Sequence, residues 1–87
     1  MFFKFFKSVD QRLAEIGFEK IYESKLILQY KRENEEFNYF QGVDLVKKTG
    51  RYPIIQSYQD DNNAMVGLNV VEIKLFLKKI KNLGWKF

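Results

Sequence analysis

The chain has 87 residues, of which 46% are hydrophobic, and a formal net charge of +4 at pH 7. This length fits one domain, residues 1–87, with a single thin core, and the hydrophobic fraction argues against disorder. Because the sequence contains no cysteine and no histidine, disulfides, thiolate–metal sites, thiol nucleophiles and the usual general base at neutral pH are excluded.

An amphipathic helix is predicted at the start of the chain. Its apolar positions recur at three- and four-residue steps, and they are Phe2, Phe5, Phe6, Val9, Leu13 and Ile16. Gly17 is expected to end the helix in the left-handed cap conformation, with Phe18 packing back onto the last turn. Lys4 and Lys7 interrupt the apolar run, which argues against an export signal. No stretch approaches the roughly 18 apolar residues of a membrane span, so a cytoplasmic location is expected.

Four strands are predicted in the middle of the chain, where the apolar pattern changes to a period of two. They are Phe18–Glu23, Lys25–Arg32, Phe37–Val46 and Tyr52–Gln59. The short polar turns between them predict an antiparallel meander. Pro53 cannot donate a hydrogen bond to a neighbouring strand, so the fourth strand is expected at a sheet edge, or to begin at Pro53.

A second helix is predicted after Asn69, because Asn69 and Glu72 have the spacing of a capping box. Its apolar stripe is expected to be Ile73, Phe76, Leu77 and Ile80. Gly84 and Trp85 should end this helix as the corresponding pair ends the first. The order helix, four strands, helix predicts an α+β two-layer sandwich with both helices on one face of the sheet.

A ligand-binding site is predicted on the fourth strand and the turn before it. Its residues are Lys47, Lys48, Arg51, Tyr52, Gln56 and Tyr58. Tyrosine rings can stack on a base, Gln56 can donate and accept hydrogen bonds at its edge, and Arg51 can hold a phosphate in a bidentate fork. This pattern predicts an anionic, nucleotide-like ligand. The alternative is that Tyr52 and Tyr58 pack against a helix or a second subunit.

A lysine-rich surface is the alternative candidate, for binding to nucleic acid. Its residues are Lys4, Lys7, Lys74, Lys78 and Lys81. Lysines along one helix face can follow phosphate groups. They can equally form a solvated face that suits the negative C-terminal end of the helix.

Metal-dependent and catalytic chemistry are not predicted. The oxygen ligands of Asp60–Asn63 are adjacent, whereas a calcium loop spaces its ligands on alternate residues and adds a bidentate glutamate. No glycine-rich phosphate loop occurs, and no pair of carboxylates is marked for acid–base work. We therefore expect a non-enzymatic binding protein without a cofactor.

The number of aromatic residues, nine Phe, five Tyr and one Trp, exceeds what a thin core of this length needs. Some should be exposed or lie in an interface, because each can bury a large apolar area. A homo-oligomer, formed through a sheet edge or the open sheet face, would explain the surplus, and so would a binding surface.

The segment from Ile54 onward, IIQSYQDD followed by VGLNVVEIKLFLKKIKNLGW, resembles small uncharacterised proteins encoded in phages and prophages of Gram-positive bacteria. The resemblance covers about half of the chain and concerns the pattern of the fold. That family has no assigned activity, so no functional residue is carried over. It implies a small accessory protein that works inside an infected cell, and such proteins commonly act by binding. The missing catalytic groups and the surplus of aromatic residues also predict a protein that binds or sequesters a host factor.

Overall fold

The computed structural model describes residues 7–87. In chain order the elements are α1 (Val9–Glu15), β1 (Glu19–Glu23), β2 (Ile27–Asn34), β3 (Tyr39–Val46), β4 (Ile54–Gln59) and α2 (Val70–Asn82). The strands form one antiparallel sheet in the order β1-β2-β3-β4. The predicted α+β meander is confirmed. Within residues 7–87, no helix combines the length and the apolar character needed to cross a membrane.

The start of α1 is set by Ser8, which forms a capping box with Gln11. The Ser8 hydroxyl accepts a hydrogen bond from the Gln11 backbone N–H at 3.1 Å, and the Gln11 side chain accepts one from the Ser8 N–H at 2.7 Å. Because the Ser8 backbone is extended, this helix begins later than the apolar pattern predicts. The predicted helical positions Phe2, Phe5 and Phe6 lie outside the described residues.

Both helix ends are confirmed where a glycine is followed by an aromatic residue. Gly17 and Gly84 adopt positive φ angles of 95° and 78°, which glycine reaches without steric cost. The backbone N–H groups of Phe18 and Trp85 each donate to the carbonyl five positions earlier, at 2.9 and 3.3 Å. Both aromatic side chains are buried, so each helix end is closed by a hydrophobic contact.

The hydrophobic core lies between the two helices and one face of the sheet. Its buried members are Val9, Leu13, Phe18, Leu28, Tyr30, Val43, Leu45, Phe76, Ile80 and Trp85. The Phe76 ring meets those of Phe18 and Tyr30 edge to face, with centroids 5.2 and 5.4 Å apart. This geometry adds a favourable quadrupole interaction to the burial of apolar area.

The face that α2 turns to the core differs from the predicted stripe. Phe76 and Ile80 are buried as predicted, but Ile73 and Leu77 are each 38% exposed, while the charged Glu72 is only 5% exposed. The predicted capping box is present, with reciprocal 2.9 Å hydrogen bonds between Asn69 and Glu72. The helix is rotated so that Glu72 points inward.

The fourth strand lies at a sheet edge, as Pro53 predicts, and begins directly after that proline. The segment Ala64–Val66 covers part of its outer edge: the Gln59 N–H donates to the Ala64 carbonyl at 2.8 Å, and the Val66 N–H to the Ser57 carbonyl at 3.1 Å. These bonds satisfy edge groups that would otherwise be open to pairing with another chain.

Candidate functional site

The two ends of the sheet carry charges of opposite sign. Antiparallel pairing brings the β1–β2 turn, the β3–β4 turn and the residues after α2 to one end. We call this the basic end, and its cations are Lys25, Lys47, Lys48, Arg51 and Lys86. The β2–β3 turn and the residues after β4 lie at the opposite end. The acids at this end, including Glu33 near the end of β2, are Glu33, Glu35, Glu36, Asp60 and Asp61.

Two adjoining depressions shape the basic end. The first, here called the Tyr52 depression, has a volume of about 660 Å³ and is lined by residues 47–53 and 84–86. The second, the Lys25 depression, has a volume of about 510 Å³ and includes Ser24, Lys25 and Leu83 in its lining. Lys47 and Trp85 line both, so they form the boundary between the two.

Backbone geometry explains why these residues meet. The Lys47 N–H donates to the Leu26 carbonyl at 2.8 Å, which joins the β3–β4 turn to the β1–β2 turn. The left-handed Gly84 reverses the chain after α2 and brings Trp85 against both turns. Trp85 is 7% exposed, whereas Tyr52 is 76% exposed. Tyr52 is therefore the accessible stacking surface.

The cations of the basic end are electrostatically uncompensated. Across residues 7–87, none of these five side chains makes an ion pair with a carboxylate. Glu23 lies in the Lys25 depression, but its carboxylate is paired with Lys20 at 2.6 Å. A concave surface lined by charges of one sign concentrates counter-ions. The basic end is thus suited to an anion.

The structure divides the predicted ligand site in two. Lys47, Lys48, Arg51 and Tyr52 are brought together in the Tyr52 depression. The other two predicted residues, Gln56 and Tyr58, line a separate depression of about 800 Å³, which also includes Leu68, Ile73 and Met65. We call it the β4 depression.

Tyr58 has a partner within the sheet. Its hydroxyl donates to Asp44 Oδ1 at 2.8 Å. Burial of the phenol, together with this hydrogen bond and the Asp44 charge, raises the pKa of Tyr58 to about 12. The ring packs over Gly42 on the neighbouring strand, so Tyr58 makes its contacts within the sheet and takes no part in the Tyr52 depression.

The described lysines among those predicted for nucleic-acid binding lie outside the linings of the two depressions of the basic end. Lys74, Lys78 and Lys81 are exposed on α2, but none of them lines either depression of the basic end. Lys7 is paired with Glu15 of α1, and Lys4 lies outside the described residues. Nucleic-acid binding by this helix face stays a prediction.

Sequence reasoning missed a buried polar network beneath α2. Arg32 donates through Nη1 to Glu72 Oε2 at 2.5 Å and through Nη2 to Gln41 Oε1 at 2.8 Å. Gln41 in turn donates to the Ser57 hydroxyl at 2.7 Å, and the Arg32 guanidinium stacks on the Phe18 ring at 4.1 Å. Among the described residues, no buried side-chain polar atom lacks a partner. The network therefore joins α2 to three strands.

A second cluster joins the two helices around Asp10. Its carboxylate accepts hydrogen bonds from the Tyr30 hydroxyl at 2.6 Å and from Lys79 at 3.1 Å, and Lys20 lies 3.5 Å away. Burial alone would raise the pKa of Asp10, but these hydrogen bonds and the lysine charges lower it overall. Burial and the bond to Asp10 raise the pKa of Tyr30. The bonds of Asp10 to Tyr30 and Lys79 thus join α1 to β2 and to α2.

The acidic loop after β4 serves as a connection. Asp60 pairs with Lys31 at 3.0 Å, and Asn62 accepts a hydrogen bond from the Ala64 N–H at 2.9 Å. In the part of the chain from residue 7 onward, no group of three or more acidic side chains is placed to hold a metal ion.

The surplus of aromatic residues is partly exposed, as predicted. The exposed rings belong to Tyr22, Phe37, Phe40, Tyr52 and Phe87. Phe40 is covered on one side by the Lys31 ammonium, 4.4 Å from the ring centroid. A homo-oligomer stays a prediction.

Comparison of the chain with protein-family models, curated proteins and solved structures found no match. The resemblance to phage and prophage proteins therefore also stays a prediction. The chemistry of the basic end is then the strongest indication of function.

Proposed function

We propose that this protein is a non-enzymatic binding protein that holds an anionic, nucleotide-like ligand in the Tyr52 depression. The observation that carries the proposal is the cluster of uncompensated cations around a concave surface with an accessible aromatic ring. Such a cluster repels itself unless an anion is present. An anionic ligand would relieve this repulsion.

Each side chain has a distinct role in this proposal. Arg51 offers a planar fork for a phosphate, and Lys47, Lys48 and Lys86 add point charges around it. The ring of Tyr52 stacks on the base, a contact worth about 1–3 kcal/mol.

The residues that line the Tyr52 depression favour binding of a ligand over its hydrolysis. The described residues that line the Tyr52 depression include no carboxylate, and the sequence contains no histidine. General base catalysis at neutral pH relies mainly on these two groups. A bound phosphoanhydride or phosphodiester would therefore meet cations that stabilise its charge, without a base to activate water.

Trp85 is the single tryptophan of the sequence, so its fluorescence can be used to measure binding. Because Trp85 lines the Tyr52 depression, its fluorescence should change in a saturable way when adenosine mono-, di- or triphosphate is added at low salt. Lys47→Ala and Arg51→Ala should each weaken the binding about ten- to hundredfold, since hydrogen bonds to charged groups contribute about 1.5–3 kcal/mol.

Lys78→Ala is the matched control, because it removes an exposed lysine of α2 that lines neither depression of the basic end. Its affinity should equal that of the wild type. The proposal is wrong if the wild type binds none of a panel of mono-, di-, tri- and cyclic nucleotides. It is equally wrong if Lys78→Ala weakens binding as much as Lys47→Ala.

A further inference from the structure

The concave surface of the basic end continues beyond the Tyr52 depression. Lys47 and Trp85 belong to both linings, so the Lys25 depression begins where the Tyr52 depression ends. The two volumes, about 660 and 510 Å³, are comparable. A ligand confined to one depression would leave the cation of the other uncompensated.

Lys25 is the cation that the second depression adds to the shared Lys47. The neighbouring Ser24 hydroxyl accepts hydrogen bonds from the backbone N–H groups of Leu26 and Ile27, at 3.3 and 3.1 Å, so it shapes the turn. Glu23 is held in an ion pair with Lys20 at 2.6 Å. The exposed Lys25 adds a second cation to this depression beside the shared Lys47, and among the described residues neither makes an ion pair.

We propose that the basic end takes a single-stranded oligonucleotide, with one nucleotide in the Tyr52 depression and the next phosphodiester group beside Lys25. The backbone of the strand crosses the boundary formed by Lys47 and Trp85. This inference rests on the proposed function, because the first nucleotide occupies the same depression.

The exposed ring of Tyr52 favours a single strand over a duplex. The accessible face of Tyr52 can stack only on a base that is not already stacked in a helix. Acidic residues lie at the opposite end of the sheet, so a longer strand would meet charges of its own sign there. The site should therefore be short, spanning two nucleotides with little gain beyond them.

The test uses the full chain and Trp85 fluorescence at low salt, with 5′-phosphorylated thymidine mono-, di- and tetranucleotides as probes. The dinucleotide should bind about tenfold more tightly than the mononucleotide, because it neutralises one further cation. The tetranucleotide should add little more. Lys25→Ala should reduce the ratio of dinucleotide to mononucleotide affinity to about one, and Lys78→Ala should leave the ratio unchanged.

Inorganic tripolyphosphate serves as the probe of charge alone, and it should bind more weakly than the dinucleotide. Equal binding of tripolyphosphate would overturn the assignment to nucleic acid. If the mononucleotide binds but the dinucleotide binds no more tightly, the inference fails and the proposed function stands. If no nucleotide binds, both fail. A loss of tetranucleotide affinity in Lys78→Ala equal to that in Lys25→Ala would place the strand on α2 and also overturn the inference.

Discussion

Tyr58 lies across Gly42 on the open face of the sheet, where the two residues are direct partners in β4 and β3. A Cβ atom on residue 42 would come within 2.6 Å of two ring atoms of Tyr58. The absence of a side chain at Gly42 therefore allows the ring to cover the strand and its hydroxyl to reach Asp44. Glycine in a strand interior usually weakens the strand because it has no side chain to pack. At Gly42 the ring of Tyr58 supplies the missing packing.

Gly42→Ala should destabilise the fold by about 1–3 kcal/mol, the usual cost of forcing extra volume into a packed site. The tyrosine ring must move and lose its bond to Asp44. Urea unfolding of Gly42→Ala, Tyr58→Ala and the double variant measures the coupling. In the Tyr58→Ala background the same glycine substitution should cost much less. Equal costs in both backgrounds would contradict this account.

The Arg32–Glu72 pair should be the most costly ion pair to break. Arg32→Met leaves the Glu72 carboxylate, whose side chain is 6% exposed, without its cation, and we expect a loss of about 3–5 kcal/mol. Lys7→Met is the matched control, since Lys7 and Glu15 are both at least half exposed and their pair should contribute less than about 1 kcal/mol. The free energy of unfolding of both variants is measured in urea. Similar decreases in the two would show that the Arg32 network does not stabilise the contact between α2 and the sheet.

Asp10 should make stability depend on pH in the acid range. Its pKa in the folded protein is lowered below the usual 3.8, so its contribution is present above that value and is lost as pH falls through the lowered pKa. The free energy of unfolding of the wild type minus that of Asp10→Asn should therefore shrink between about pH 5 and about pH 2. Glu19→Gln is the matched control, because it removes one negative charge from an exposed side chain of β1. A difference for Asp10→Asn that stays constant with pH would contradict the prediction.

The glycine after α2 should be sensitive to substitution, whereas Gly67 should not. Gly84→Ala places a Cβ in the left-handed region and should cost about 1–2 kcal/mol. Gly67 does not adopt a positive φ, and a methyl group at this position would meet no atom within 4 Å. Gly67→Ala should therefore be neutral, or should stabilise the fold by about 0.4–1 kcal/mol, because alanine lowers the conformational entropy of the unfolded chain. Thermal or urea unfolding of the two variants compares them directly, and equal losses would contradict the prediction.

Oligonucleotide binding at the basic end should weaken as salt is added. Each phosphate neutralised on a single strand changes the logarithm of the affinity by about −0.7 per logarithm of salt concentration. The dinucleotide should thus show a steeper slope than the mononucleotide, and Lys25→Ala should remove the difference. Parallel slopes for the two ligands in the wild type would contradict the second phosphate contact.

The sequence alone was sufficient for the order and type of the elements, because the signals involved are local. The helix stops at Gly17 and Gly84 depend on neighbouring residues, and so does the capping box at Asn69. The start of α1 was missed although its signal is also local. Ser8 and Gln11 form a capping box, a signal that the prediction from the apolar run did not include.

The candidate site depended on the tertiary structure. Gln56 and Tyr58 are close in sequence to Arg51, but a strand rises about 3.3 Å per residue, so it carries them away from the turn. Lys25 and Lys86 are distant in sequence and join the turn because antiparallel pairing and the reversal after α2 bring separate segments to one end. The inward rotation of Glu72 likewise required the Arg32 guanidinium beneath the helix. Periodicity reports which residues are apolar, whereas the partner of a buried charge is decided only by packing between elements.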